Sequence, residues 1–562
     1  MVLRPLGFTV TGFWRRASNQ VTPAWLYMSG LCLAAGMGVT DIVRHWERIN
    51  GDGVSYLEMG EALLDSGMTA GYTGYWAPLY GVLGALAARW AESFGMNRLV
   101  GVQTLNAAIF LAGLGSSIFF ARTFLEMLGI DWQGWRGALT QLFSAAVFSL
   151  LVIRFGGTTM VTPDLGVSAL VLVAGAWTLR GVQERLPPWK AGATGLVFGL
   201  GYWFKSIFFP LWWLWVSLVL GLSWNQRSRR RWIFPALVAW SLLAVPLTLF
   251  ISRAAGKLSF GENGKLAILW YVNGLPNRYW QGDASAPHGR SDHPIRKVHV
   301  SPAIYEFSNE FPRASYAPWY DPAYWYSGAR VRLSPAVVAG AVKANLKSMR
   351  RLWLSRILAP FTLLTIIGLW TGRKYLKKKW LAAVIIFALG PFALVLVHTE
   401  PRFFYGQVVI LMTAGMALLL CVYGDGIQGW GWQLAGAALT LWAFAVCAVT
   451  AVRPEGGHLR KITEAVQSAG VRAGMKVCTI AQGAETGAWA WYGRVRVVAE
   501  MPLTEYRKAV ARGWRDFGEA EASFKAVGCD AAIAVLEAGD AEPSWEKTGY
   551  SHVYVKLLRE KE

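Results

Sequence analysis

Apolar residues run almost unbroken over lengths of 16 to 21 positions, again and again, through the first 450 residues. Such a run is about what an α-helix needs to cross a ~30 Å hydrocarbon core, and a helix satisfies its own backbone hydrogen bonds there. The pattern predicts eleven spans, at 24–41, 99–121, 138–154, 161–180, 190–203, 206–222, 232–252, 353–371, 380–398, 404–424 and 433–452. The fifth is short and depends on its pairing with the sixth. Residues 77–95, APLYGVLGALAARWAESFG, are apolar too, but they carry Arg89, Trp90 and Glu92. They read as a helix lying in the interface or packed peripherally. Residues 48–95 then hold two shallow helices, and the outer loops are 42–98 and 253–352.

After residue 452 the period changes. LRKITEAVQSAG reads as a helix, KVCTIA and RVRVVAE as strands, EYRKAVARGWRDFGEAEASFKAVG as helical, and DAAIAVLEA and SHVYVKLL as strands. Alternation of this kind predicts a small α/β domain over 453–562, beside a membrane domain over 1–452. No GxGxxG and no P-loop is present, so no nucleotide is assigned. Cys32, Cys421 and Cys447 lie in apolar runs, with Cys478 and Cys529 in the tail. There is no CxxC and no His/Cys spacing suited to a metal. Cys478 and Cys529 could bond in an oxidising compartment, but two buried thiols are favoured.

Composition supports the membrane reading. Of 562 residues, 54% are hydrophobic and 16% charged, with 30 Trp; a soluble chain carries about 25% charged residues. The net charge of +21 sits in short loops, as in Arg227, Arg229, Arg230 and Arg231, and again in Arg373, Lys374, Lys377, Lys378 and Lys379. That is the positive-inside pattern, not a nucleic-acid surface. Arg4, Arg15 and Arg16 precede the first span without a cleavage site after it, as in a signal anchor. The expectation is a multi-pass protein of the inner (plasma) membrane, with a cytoplasmic N-terminus and an extracytoplasmic C-terminal domain.

Ionisable residues at the outer ends of spans need a reason, because charge near lipid is costly. Asp52 lies between two glycines in RINGDGVSYLEMGEALLDSG, before a helix that carries Tyr56, Glu58 and Glu61. Asp164 follows Pro163 in RFGGTTMVTPDLG. Lys205 sits in the turn of GLGYWFKSIFFP, and His398, Glu400 and Arg402 form HTEPRFF. Each has a plain structural account. Asp52 and Asp164 could cap helices, Lys205 and Arg402 could reach for headgroups, and Glu400 could pair with Arg402. In the predicted topology, however, all of them fall on one side. The loop 253–352 adds LWYVNGLPNRYW, with Trp270 and Tyr271, and PWYDPAYWY. These rings suit an aromatic belt or a platform for sugars, and both readings stay open.

The order of these stretches resembles that of the GT-C membrane glycosyltransferases. The branch most similar holds the protein O-mannosyltransferases and the lipid A aminoarabinose transferases (glycosyltransferase family 39-like). The resemblance covers roughly residues 20–450. It rests on GDGVSYLEMGEALLDSG, WAPLYGVLGAL, TPDLGVSALVLVAGAW, GLVFGLGYWFKS and HTEPRFFYGQVVIL. It implies a GT-C-like α-helical polytopic fold and an outer-face transfer of sugar from a polyprenyl-phosphate donor to an acceptor, whose identity stays open. It implies Asp52 as general base, with Asp164 beside it, and Lys205 and Arg402 on the phosphate. It also implies Tyr56, Glu58, Glu61, His398, Glu400, Trp270 and Tyr271 as substrate-binding. The chain departs from the family where Asp-Glu or Asp-Asp is usual: here Gly53 follows Asp52, so a second acid must come from Glu58, Glu61 or Asp164, or is not needed. Some relatives use a divalent cation, which this sequence allows without demanding. The chemistry is coherent. A phosphate leaves without an acid, unlike the sugar of a glycosidase with its two carboxylates, so one base and some cations suffice. The alternative is a transporter or flippase of lipid-linked sugars, which needs the groove and cations but no base.

Overall fold

The computed structural model describes residues 23–559 apart from 184–186, 223–231, 308–310, 425–426, 454–457, 482–483, 515–516, 538–539, 541–542 and 551. The basic residues Arg227, Arg229, Arg230 and Arg231, and Arg4, Arg15 and Arg16, lie outside the described residues.

Each predicted span forms a helix. In chain order the bundle begins with α1 (Pro23–Arg44), the shallow pair α2 (Gly51–Ser66) and α3 (Pro78–Ser93), and α4 (Arg98–Leu128). Next come α5 (Trp135–Arg154), α6 (Asp164–Gln183), α7 (Pro188–Phe204), α8 (Phe208–Leu222) and α9 (Ile233–Ala255). After the long loop follow α10 (Pro335–Trp353), α11 (Ala359–Gly372), α12 (Lys378–Leu389), α13 (Tyr405–Tyr423) and α14 (Ile427–Ala451). Among the described residues, seven helices are long and apolar enough to cross a membrane alone: α1, α4, α5, α6, α9, α13 (with Pro401–Phe404) and α14. The other four predicted spans are shorter, at 12 to 17 residues. The chain is a multi-pass membrane protein. Burial sorts its helices: 94% of the apolar stretch of α5 is buried, against 22% for α9. Thus α5 and α13 form the centre, and α1, α4, α9 and α14 turn apolar faces outward.

Local chemistry sets the ends. Asn97 caps α4 by accepting from the Leu99 N–H at 3.0 Å, and Gly129 ends it at φ 73°, a backbone conformation that glycine adopts without cost. α3 is not a span. It packs Tyr80, Gly81, Gly84, Ala85 and Ala88 against α2 and α4, and leaves Leu86, Trp90 and Phe94 exposed. That is the amphipathic form expected of residues 77–95. The prediction missed α10, an amphipathic helix at the end of the long loop. Ser334 caps it, and Ala341, Asn345 and Met349 are its buried stripe.

The C-terminal part is a mixed sheet in the order β1-β2-β4-β3-β5-β7-β6. β1 (Arg296–Val300) and β2 (Ala303–Glu306) come from the long loop. β3 (Lys476–Ala481), β4 (Arg496–Pro502), β5 (Ala531–Val535), β6 (Glu546–Lys547) and β7 (Val553–Leu557) come from the tail. β4, β3 and β5 are parallel, and the flanking pairs are antiparallel. The four tail strands read from the sequence are present, with helices at His458–Ser468, Leu503–Ala511 and Phe517–Ala526. A further helix, Ala484–Tyr492, packs on α2. The expectation of two free thiols is corrected: Cys478 and Cys529 form a disulfide. β3 and β5 are neighbours, and Cys529 leads into β5, so the two Cα atoms lie 5.9 Å apart, within bonding reach.

Candidate active site

At the end of the bundle that meets the sheet lies a cavity of about 630 Å³. Four separate parts of the chain bring charge to it. Asp52 stands in the first turn of α2, Asp164 opens α6, Lys205 ends α7, and Arg402 follows the turn after α12. Arg402 is the hub. Its Nη2 donates to Asp52 Oδ2 at 3.0 Å and its Nε to Glu400 Oε2 at 2.6 Å, and Nε lies 3.7 Å from Asp164 Oδ2. Lys205 donates to Asp164 Oδ1 and stands 4.3 Å over the ring of Phe403. His398 hydrogen-bonds Glu400 at 3.1 Å and stacks on Tyr271, with ring centroids 3.6 Å apart. Burial alone would raise the Glu400 carboxyl; the His398 hydrogen bond and the Arg402 charge bring it down to about 2.

Asp52 is not a helix cap. Asn50 stands at the cap position, and its side chain accepts from the Val161 N–H instead. Two glycines flank Asp52. They are helical, and a Cβ on Gly53 would sit 2.6 Å from Val161 Cβ, so the glycine allows α2 to pack against that loop. Trp319 Nε1 donates to Asp52 Oδ1 at 3.1 Å. Trp319 is itself stacked on Trp270 at 5.8 Å and tied to α2 by Ser55 Oγ, which donates to its carbonyl at 2.8 Å. Asp52 thus keeps a lone pair on each oxygen for a further donor.

The cavity gathers most of the residues singled out in the sequence: Asp52, Tyr56, Asp164, Lys205, Trp270, Tyr271, His398, Glu400 and Arg402. Glu58 and Glu61 are not among its lining residues. Six residues beyond Asp52, Glu58 points about 240° round the helix. It is buried, accepts from the Ser315 N–H at 2.7 Å, and is raised by that burial to about 7. Glu61 pairs with Arg98. The lining also includes residues the sequence reading passed over: Tyr75, Asn263, Asn277, Arg278 and Trp319. Arg278 and Trp319 stood inside the two aromatic stretches, where the rings drew attention from the cation. An apolar wall of Val167, Val171, Phe209, Leu211, Leu394 and Val397 completes the space.

The donor set suits a metal ion poorly, because Asp52 and Asp164 turn their oxygens to guanidinium and ammonium groups. Among the described residues no group of three or more His, Cys, Asp or Glu side chains could hold one.

Comparison of the whole chain with solved structures decides the fold. The chain superposes on the oligosaccharyltransferase of Archaeoglobus fulgidus, in complex with Zn and sulfate, with a TM-score of 0.54, covering 90% of this chain and 67% of that one at 10% identity. It superposes on ArnT from Cupriavidus metallidurans with a TM-score of 0.52, covering 91% and 92% at 12% identity. This is the GT-C fold. A third GT-C structure, A. fulgidus AglB with an inhibitory peptide and a dolichol-phosphate, gives a TM-score of 0.53 over 91% of this chain and 69% of that one, at 10% identity. No protein-family model and no curated sequence matches the chain.

Proposed function

We propose that this protein is a GT-C glycosyltransferase of the inner membrane. It moves a sugar from a polyprenyl-phosphate donor to an acceptor hydroxyl on the extracytoplasmic side, with Asp52 as general base. One observation carries the reading: a single cavity holds Asp52 with open lone pairs, Arg402 3.0 Å from it, Lys205 joined to the same cluster through Asp164, and an apolar wall beside them. An AglB of the same fold is known in complex with a dolichol-phosphate, a lipid of the proposed donor class.

The polyprenyl chain lies along the apolar wall, and its phosphate meets the cations. The acceptor hydroxyl gives its proton to Asp52 as its oxygen bonds to the anomeric carbon. The bond from that carbon to the phosphate oxygen breaks, and the electron pair leaves on the phosphate. Lys205 and Arg402 stabilise the charge that builds there. Asp164 holds Lys205 and faces Arg402, so it orients both rather than taking the proton. Trp270 and Trp319, stacked beside Asp52, offer aromatic faces to the sugar.

The test is to incubate purified protein with labelled polyprenyl-phosphate sugars and follow release of the sugar. Loss of sugar dependent on Asp52 supports transfer. Movement of intact donor across a vesicle membrane without loss of sugar supports the transporter reading instead. The side is tested separately: alkaline phosphatase fused after residue 562 is expected to be active, and an inactive fusion would put the cavity on the cytoplasmic face.

A further inference from the structure

The cavity's two central cations arrive already engaged. Lys205 is bound to Asp164, and Arg402 to Asp52 and Glu400, so three carboxylates face two cations. A phosphate entering this cluster alone would meet more negative than positive charge. Arg278 is the further arginine of the lining. Its Nη1 is buried and has no hydrogen-bond partner.

What holds Arg278 comes from the other end of the chain. Glu500, on β4 of the C-terminal sheet, is fully buried. Its Oε2 accepts from Tyr316 Oη at 2.5 Å and from Tyr279 Oη, and the two hydroxyls lie 2.9 Å apart. Arg278 precedes Tyr279 in the chain and lies beside the Tyr316 hydroxyl. Burial pulls its pKa down, but the Tyr316, Tyr279 and Glu500 oxygens around it raise it overall. The carboxylate cannot drift, because its strand pairs with β2 at Tyr305 and with β3 at Thr479. Tyr279 is further fixed by stacking on Tyr305 at 4.4 Å. The same segment reaches the base: Val497 N donates to the Ser315 carbonyl at 2.9 Å, four residues before Trp319, the donor to Asp52.

We infer that Glu500 is a positioning residue: through Tyr316 and Tyr279 it holds Arg278 at the cavity as a further cation for the phosphate of the donor. The C-terminal domain is then part of the donor site, although none of its described side chains lines the cavity. This inference rests on the lipid-phosphate reading above.

The experiment uses the full chain in nanodiscs, with farnesyl phosphate as the probe and farnesol as its uncharged control. Binding is measured for the parent, Glu500→Gln, Tyr316→Phe, Arg278→Ala and the double variant Glu500→Gln/Arg278→Ala. Glu500→Gln and Arg278→Ala are each expected to weaken farnesyl phosphate about tenfold, the scale of one charge-assisted contact. The double variant is expected to be no weaker than Arg278→Ala alone, because both act through one group. Farnesol binding should be the same throughout. Tyr316→Phe keeps the ring and removes the hydroxyl between Glu500 and Arg278. It should weaken the phosphate by several-fold, and it decides the matter if Glu500→Gln fails to fold. Parental binding in Tyr316→Phe and Glu500→Gln, or losses that multiply in the double variant, would overturn the positioning role. A parent that binds farnesyl phosphate no better than farnesol would overturn the lipid-phosphate reading itself, a distinct result.

Discussion

Two carboxylate regions lie on either side of the loop that carries Trp319, and they are built in opposite ways. In the cavity, Asp52, Asp164 and Glu400 all meet Arg402, and Lys205 holds Asp164; Asp164 is buried, but Asp52 and Glu400 lie partly open to the space beside them and leave lone pairs unused. Behind the loop, Glu500 is shut away and satisfied by two tyrosine hydroxyls. Glu58 is shut away too, with the Ser315 N–H as partner. Open, shared charge can change partners at modest cost. Buried charge with fixed donors cannot, because an unpaired buried group loses its full solvation. The first region is suited to react and the second to hold. Substitutions in the first should alter rates and leave the fold, and substitutions in the second should cost stability, with Glu500 reaching the donor only through Arg278.

The sharpest way to break that contrast is Asp52→Asn. It keeps the shape and one of the two hydrogen bonds, since its oxygen can accept from Trp319 or Arg402 but its amide nitrogen cannot, and it cannot take a proton. Transfer is expected to fall by about 10²–10⁴, the usual contribution of a positioned base, while the melting temperature stays near the parent's. A variant that transfers sugar like the parent would move the base elsewhere, with Asp164 the next carboxylate to test. Arg402→Ala comes second. It removes a donor to Asp52 and Glu400 together with a phosphate contact, and should cost ten- to a hundredfold in turnover, in line with ~1.5–3 kcal/mol for a charged hydrogen bond. Steady-state kinetics would detect it, and unchanged turnover would make Arg402 a scaffold.

The holding region answers to stability. Replacing Cys478 and Cys529 with serine opens a 51-residue loop and should cost the sheet about 2–4 kcal/mol. Thermal unfolding with and without reductant is the check: reductant should lower the parent's transition and leave the variant's unchanged. The smallest effect concerns Glu58. Its folded pKa of about 7 stands above its ordinary 4.5 because it is buried. Between those values the folded chain holds a proton that the unfolded chain has released, so stability falls as pH rises through that window and levels off above it. Glu58→Gln should flatten the slope and raise stability at pH 8 by up to ~2–3 kcal/mol. An unchanged pH profile would show that water reaches the carboxylate.

Much of the bundle was legible because lipid imposes a simple rule of length and apolarity. All eleven segments became helices, and the odd run at 77–95 was recognised by Arg89 and Glu92. The site was legible in part for the same reason: Asp52, Asp164, Lys205 and Arg402 stood out because charge beside a span is costly. Helical phase could have sorted the rest of α2, since Tyr56 falls on the face of Asp52 and Glu58 and Glu61 fall away from it. Arg278 and Glu500 were not legible. Their meeting depends on the fold of an irregular loop, and no local pattern announces it. The pairing of Cys478 with Cys529 likewise needed the order of β3 and β5, which strand spacing alone leaves undetermined. The β1–β2 hairpin was hidden because RKVHV and AIYE are short and weakly alternating.

That hairpin has a consequence for biosynthesis. The sheet is stitched from a loop that emerges before α10 and a tail that emerges last, and Tyr316 waits for a partner 184 residues further along. A nascent chain can insert every span and still have Arg278 and Trp319 on an unfinished edge. The cavity has its back wall only once the tail strands have joined β2. A chain ended after α14 should therefore reach the membrane yet expose its long loop to protease.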